Sequence, residues 1–125
     1  MLKGKTILLV DDDDRNIFAL SAVLKSKGPI IITARDGKDC LEKLKEHKSI
    51  DILLLDMMMP EMDGYQTLSE MKKDSSFNDL PVIALTALAM KGDMEKCLAA
   101  GVNDYCSKPV NIDELIVKIK TLLKL

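Results

Sequence analysis

A single histidine, His47, stands among lysines in a stretch expected to be exposed, and its isolation leaves no candidate for a Ser/His or Cys/His catalytic pair. The three cysteines, Cys40, Cys97 and Cys106, are widely spaced and odd in number, with no CxxC pattern. They read as reduced thiols of a cytoplasmic protein that fill core or surface, which excludes a disulfide framework. Neither charge sign dominates: 18 basic residues face 20 acidic ones, for a net charge of -2. Without a basic field the chain is not built to grip nucleic acid. No apolar run approaches the roughly 20 residues of a membrane span, and the start carries no signal-peptide pattern. Membrane contact by this chain is therefore not expected. Internal repeats, low-complexity tracts and interdomain linkers are lacking too. The remaining composition, 47% apolar and 30% charged over 125 residues, is that of one ordinary globular domain spanning residues 1–125, large enough to bury a core without metal or disulfide staples.

Strand and helix signals alternate from end to end, which predicts repeated βα units around a parallel sheet. Strands are expected at Thr6–Val10, Ile30–Ala34, Ile52–Asp56, Val82–Thr86 and Asn103–Ser107. The unbroken aliphatic run Ile52 to Leu55 suits a strand buried on both faces. The first helix should turn Ile17, Leu20, Val23 and Leu24 inward and close at Gly28. A second runs from Lys38 to about His47 with Leu41 and Leu44 inward, and a third of about ten residues opens at Gly64 with Leu68 and Met71 inward. Ser75 to Asp79 reads as polar loop. The fourth helix, Lys91 to Ala100, is thin, with Met94, Cys97, Leu98 and Ala99 as its best apolar positions, and is expected to be the most mobile. Asn111 with Glu114 resembles a capping box for a last helix that buries Leu115, Ile116, Ile119, Leu122 and Leu123.

In parallel sheets ligands collect at the carboxyl ends of the strands. The first strand ends on Asp11 and Asp12, the third on Asp56, the fourth on Thr86 and the fifth on Lys108. Taken singly, each has a plain reading: a loop acid or helix cap, a strand-end hydroxyl, a solvated lysine. Asp13 and Asp14 keep that reading, since negative charge suits the N-terminus of the following helix. The joint placement is the signal. Carboxylates converging from two strand ends repel one another and need a cation. An all-oxygen set without His or Cys suits Mg²⁺ or Mn²⁺ rather than zinc. A lysine and a hydroxyl beside such an ion make a place for a phosphoryl group, which Asp56 could take as an acyl phosphate.

These residues carry a resemblance to the response-regulator receiver domains of two-component signalling over essentially the whole length. The motifs are Leu8-Leu9-Val10-Asp11-Asp12, Leu55-Asp56-Met57-Met58-Met59-Pro60 with Met62-Asp63-Gly64, Ala84-Leu85-Thr86-Ala87 and Lys108-Pro109. The resemblance implies a flavodoxin-like three-layer sandwich, a doubly wound (βα)5 α/β fold. It implies that Asp56 is phosphorylated by a histidine kinase or a histidine phosphotransfer protein. Asp12, Asp56 and the backbone carbonyl of Met58 would ligate Mg²⁺, with Asp11 assisting through water. Lys108 would pair with the phosphoryl group, or with Asp56 before it arrives. Thr86 would swing toward the phosphate and Tyr105 would turn inward, repacking the face of the fourth helix, fifth strand and fifth helix for a downstream protein. Such a chain is a switch rather than a turnover enzyme. Asn16 and the segment from Thr86 to Met90 look more like the receivers of hybrid sensor histidine kinases than the stand-alone chemotaxis type. The chain ends at Leu125 without an effector domain, so both a single-domain regulator and an excised receiver fit.

One departure carries information. The positions two after the acceptor and two after the switch threonine are Met58 and Leu88, both apolar, where relatives can use polar side chains to orient the hydrolytic water. A long-lived Asp56 phosphate is therefore expected. Three rivals fit less well. A haloacid-dehalogenase-type phosphatase resembles an Asp-x-Asp pattern whose second acid falls here on Met58. A flavodoxin-like cofactor binder needs a phosphate-cradling loop where Asp11 to Asp14 stand. A pseudo-receiver would be expected to lack an acidic-pair residue, the acceptor or the lysine, and all are present.

Overall fold

The computed structural model describes residues 2–87 and 90–125. Along the chain come β1 (Thr6–Val10), α1 (Asp14–Lys25), β2 (Ile30–Ala34), α2 (Gly37–Glu46), β3 (Ile52–Asp56), α3 (Gly64–Met71), β4 (Val82–Thr86), α4 (Lys91–Ala99), β5 (Asp104–Ser107) and α5 (Ile112–Leu123), with one 3-10 turn at Ser75–Phe77. The strands form one parallel sheet in the order β2-β1-β3-β4-β5. The chain winds outward from β1 to β2, then crosses to β3 and continues the other way. The strand order reverses between β1 and β3, the place where a doubly wound sheet leaves a crevice at its carboxyl edge.

Alternate side chains of the strands enter two separate cores, as the two-residue period requires. Leu8, Val10, Leu53, Leu55, Val82 and Ala84 pack with Cys40 and Leu44 of α2, Leu68 and Met71 of α3 and Cys97 of α4. Ile7, Leu9, Ile52, Leu54, Ile83 and Leu85 pack with Leu24 of α1 and Leu115 and Ile119 of α5. Three layers result, and the central strands are buried on both faces, which is why β3 reads as a continuous aliphatic run. Each fully buried leucine or isoleucine contributes roughly 1.5–3 kcal/mol of transfer free energy. The ten elements stand where the alternation predicted them.

Several details differ from the expectation. Val23 is 39% exposed and Leu98 46% exposed, so neither completes its helix's inward face. Ala99 is exposed as well, and Cys97 is the one buried residue of α4. α1 ends at Lys25 with Ser26 as its C-cap, ahead of Gly28. β5 begins at Asp104 because Asn103 closes the strand end instead: its N–H donates to the Val82 carbonyl at 2.8 Å and its Oδ1 accepts from the Val82 N–H at 2.9 Å. α3 has eight residues, cut short by the turn into Ser75–Phe77, whose N-cap is Asp74. Asn111 caps α5 by accepting from the Glu114 N–H, while the Glu114 carboxylate lies 3.2 Å from Lys118. Among the described residues no helix is long and apolar enough to cross a membrane.

Gly64 joins the loop after β3 to α3 in a space without room for a side chain. A Cβ there would lie 2.5 Å from Met57 Sδ, 2.7 Å from Met57 Cα and 3.0 Å from the Asp56 carbonyl oxygen. Backbone cannot yield as a flexible side-chain tip can. Gly64→Ala is therefore expected to cost about 1–3 kcal/mol of unfolding free energy in urea, and wild-type stability in that variant would refute the tight junction.

Candidate functional site

Neighbouring strands bring the acids together. Val10 of β1 lies opposite Leu55 of β3, so Asp11 and Asp56 leave the sheet side by side. Each is 2% exposed. One oxygen of each carboxylate is held by the backbone two residues on: Asp11 Oδ1 accepts from the Asp13 N–H at 2.9 Å, and Asp56 Oδ1 accepts from the Met58 N–H at 3.0 Å. That leaves the two Oδ2 atoms for a shared partner. Lys108 fills the gap, its Nζ 3.2 Å from both.

Lys108 arrives from the far side of the sheet. Leu85 pairs with Cys106 and Thr86 with Ser107, and the Lys108 N–H donates to the Thr86 carbonyl at 2.8 Å, one residue beyond the strand. Thr86 itself is 3% exposed at the end of β4. The four strand ends named from the sequence thus meet at one edge. Asp12 is exposed, yet carboxylate oxygens of Asp11, Asp12 and Asp56 all lie within 4.8 Å of one another.

The electrostatics follow from this crowding. Burial pushes the Asp56 carboxyl up to about 6; the Met58 N–H and the Lys108 ammonium work the other way, and the Asp11 charge adds to the rise. Burial works to lower the Lys108 ammonium, but attraction to Asp56 and Asp11 prevails and holds it above its ordinary range. One ammonium among three carboxylates leaves net negative charge, and the donors are all oxygen. The residues fit a hard divalent ion such as Mg²⁺.

Around this centre the other expected residues fall as follows. Met58 brings its backbone to the Asp56 carboxylate, while its side chain is 54% exposed. Leu88 lies outside the described residues. Tyr105 is half-buried on β5; Lys118 of α5 stands 5.0 Å from its ring centroid and donates to its carbonyl oxygen. Lys118 also lies 3.5 Å from Asp104 and 3.2 Å from Glu114. That lysine was not anticipated; the Glu114–Lys118 spacing of four was its one visible signal. Asn16, noted only for its family likeness, reaches Asp11 Oδ2 at 3.5 Å. Asp13 is the N-cap of α1, as read. His47 lies beside Ile50 and Pro81, at the opposite edge of the sheet. All three cysteines are free and buried, and burial raises the Cys40 thiol to about 12, which keeps it unreactive.

With this geometry in view, comparison with known proteins gives consistent findings. The family model for the response regulator receiver domain matches residues 7–120. The polar-differentiation response regulator DivK of Brucella anthropi is 34% identical over 119 residues, covering 95% of this chain and 96% of that protein. A crystal structure of a putative response regulator from Chloroflexus aurantiacus superposes with a TM-score of 0.90 at 31% identity, covering 98% of this chain and 100% of that one. The receiver domain of a sensor histidine kinase from Pseudomonas aeruginosa superposes with a TM-score of 0.88 at 34% identity, over 98% and 99% of the two chains; its crystal structure has a magnesium ion coordinated in the active-site cleft.

The raised Asp56 carboxyl has a stability consequence. The folded chain holds this proton up to about 6, while the unfolded chain releases it near 3.8, so between those values the folded state binds more protons and loses stability as pH rises. Asp56→Asn removes that cost. In metal-free buffer with chelator it should stabilise the fold at pH 7 by on the order of 2–3 kcal/mol in urea unfolding. The gain should disappear near pH 4. An equal gain at both pH values would show that charge burial is not its source.

Proposed function

The chain belongs to the response regulator receiver domain family of two-component signalling, and from that membership we propose that Asp56 accepts a phosphoryl group from a phosphohistidine and so switches the protein between partners. Receiver domains are signalling switches rather than turnover enzymes. The observation that carries the reading is the Lys108 ammonium poised 3.2 Å from both Asp11 and Asp56 at the carboxyl edge of the sheet.

In the proposed reaction an ionised Asp56 oxygen attacks the phosphorus of the donor. A P–O bond forms as the P–N bond breaks, and the imidazole leaves with that electron pair. The Met58 N–H holds the Asp56 carboxylate in one orientation, so little reorganisation precedes attack. Asp11, Asp12, Asp56 and the Met58 carbonyl would hold Mg²⁺, or Mn²⁺ in its place, which offsets the repulsion between these carboxylates and the phosphoryl oxygens. Lys108 exchanges its contact with Asp56 for one with a phosphoryl oxygen. Thr86 donates its hydroxyl to another, and Tyr105 follows inward.

The output surface in this reading is the face of α4, β5 and α5, which shifts to admit or release a downstream protein. Its support is local: α4 has no side-chain N-cap hydrogen bond and one buried residue, and Lys118 of α5 reads the position of Tyr105 directly. The upstream partner is a histidine kinase or histidine phosphotransfer protein. A cytoplasmic setting belongs to the same proposal, supported by three buried thiols that remain unpaired.

Incubation with acetyl phosphate or phosphoramidate and Mg²⁺ is expected to add one phosphoryl group by mass, lost in Asp56→Ala and absent without the metal. An adduct that persists in Asp56→Ala would refute the acceptor. The exposed thioether of Met58 offers no polar atom to orient an attacking water. Met58→Asn should therefore hasten adduct decay by about tenfold, less than the roughly 10²–10⁴-fold of a full general base because an amide orients the water without taking its proton. Fast wild-type decay unchanged by the substitution would contradict this.

A further inference from the structure

α4 is gripped at few points, and two of them meet on one side chain of α3. Cys97 Sγ lies 3.4 Å from the Tyr65 hydroxyl, and the neighbouring Lys96 holds its Nζ 4.4 Å from the Tyr65 ring centroid. Cys97 is also the residue that anchors α4 to the sheet. A third point lies just past the same, C-terminal end: a Cβ built on Gly101 would meet Lys72 Cε at 3.2 Å, so the lysine stem that follows α3 packs on the glycine that ends α4. Burial holds the Tyr65 hydroxyl above its ordinary range, with Cys97 adding to the rise, so it stays protonated and able to donate.

Tyr65 is equally tied to the acceptor loop. It follows Gly64, whose N–H donates to the Met57 carbonyl at 3.3 Å and whose Cα is packed against Met57 and Asp56. A shift of the loop after Asp56 therefore carries Tyr65 with it. Thr86 and Tyr105 lie on β4 and β5, so this connection, through α3, reaches α4 by a separate route.

We propose that Tyr65 is a positioning residue that couples the loop after Asp56 to α4, holding α4 in its present arrangement through Cys97 and Lys96 until that loop moves. The proposal rests on Asp56 as phosphoacceptor. It predicts that loosening the contact favours the shifted face and so favours phosphorylation.

The test uses the full chain. Tyr65→Phe keeps the ring and removes the hydroxyl; Lys96→Met keeps the stem and removes the cation. In unphosphorylated protein, amide exchange across residues 91–99 should rise about threefold in Tyr65→Phe, the equilibrium weight of one modest hydrogen bond, with α2 unchanged. The rate of Mg²⁺-dependent phosphorylation by acetyl phosphate should rise rather than fall in the same variant, and rise further in the double variant. Unchanged exchange in α4 would overturn the proposal. So would exchange raised uniformly across the fold with phosphorylation slowed, the signature of a merely structural tyrosine. If Tyr65→Phe does not fold, Lys96→Met carries the same two readouts. If the wild type takes no phosphoryl group, the acceptor reading fails, while exchange still decides whether Tyr65 holds α4.

Discussion

Two buried carboxylates share one ammonium. Lys108 stands equally far from Asp11 and Asp56, at 3.2 Å, and the remaining oxygen of each acid is occupied by a backbone N–H. Neither acid is neutralised outright. Asp56 stays partly protonated into the neutral range, and the nearby Asp12 adds charge without adding a counter-ion. A site in this condition is responsive because a divalent cation, a phosphoryl group and the lysine compete for the same oxygens. Breaking a buried pair costs far more than its net contribution to stability, so this arrangement is better understood as a device for switching than as a source of stability.

The fold exists in a form that produces this arrangement. The strand order puts β1 beside β3, the register aligns their ends, and the outer pairing of β4 with β5 delivers Lys108 from the far side. Around the charged centre each face of the sheet has its own core, and the weakest cover is α4. That helix is held by Cys97 from within and by Tyr65 of α3, over whose ring its own Lys96 lies, and it borders the strand where Lys118 reads the position of Tyr105. Charge at the sheet edge and loosely held cover next to it are the two requirements of a bistable element that a local event can bias.

The strands and the four acid and base positions were legible because they depend on local chemistry: aliphatic runs ending abruptly in Asp56 or Lys108 can be read one strand at a time. Gaps in the reading lie where tertiary contacts decide. Val23 and Leu98 have the right type and spacing to face inward, but the helices roll so that Ser21, Leu24 and Cys97 take the buried positions. Asn103 looked like a strand residue and instead clamps the end of β4 from outside. Tyr65 carries no local signature and Lys118 only its spacing of four from Glu114, since their partners Cys97 and Tyr105 belong to other elements. Long-range pairs of this kind follow from packing, and one sequence does not display them.

The most direct measurement is the titration of the Asp56 carboxyl carbon by NMR, with and without Mg²⁺. A midpoint near 6 is expected in metal-free protein, because burial and Asp11 outweigh the Met58 N–H and Lys108, with a marked fall on adding the ion. A midpoint in the ordinary carboxylate range that Mg²⁺ leaves unmoved would contradict it.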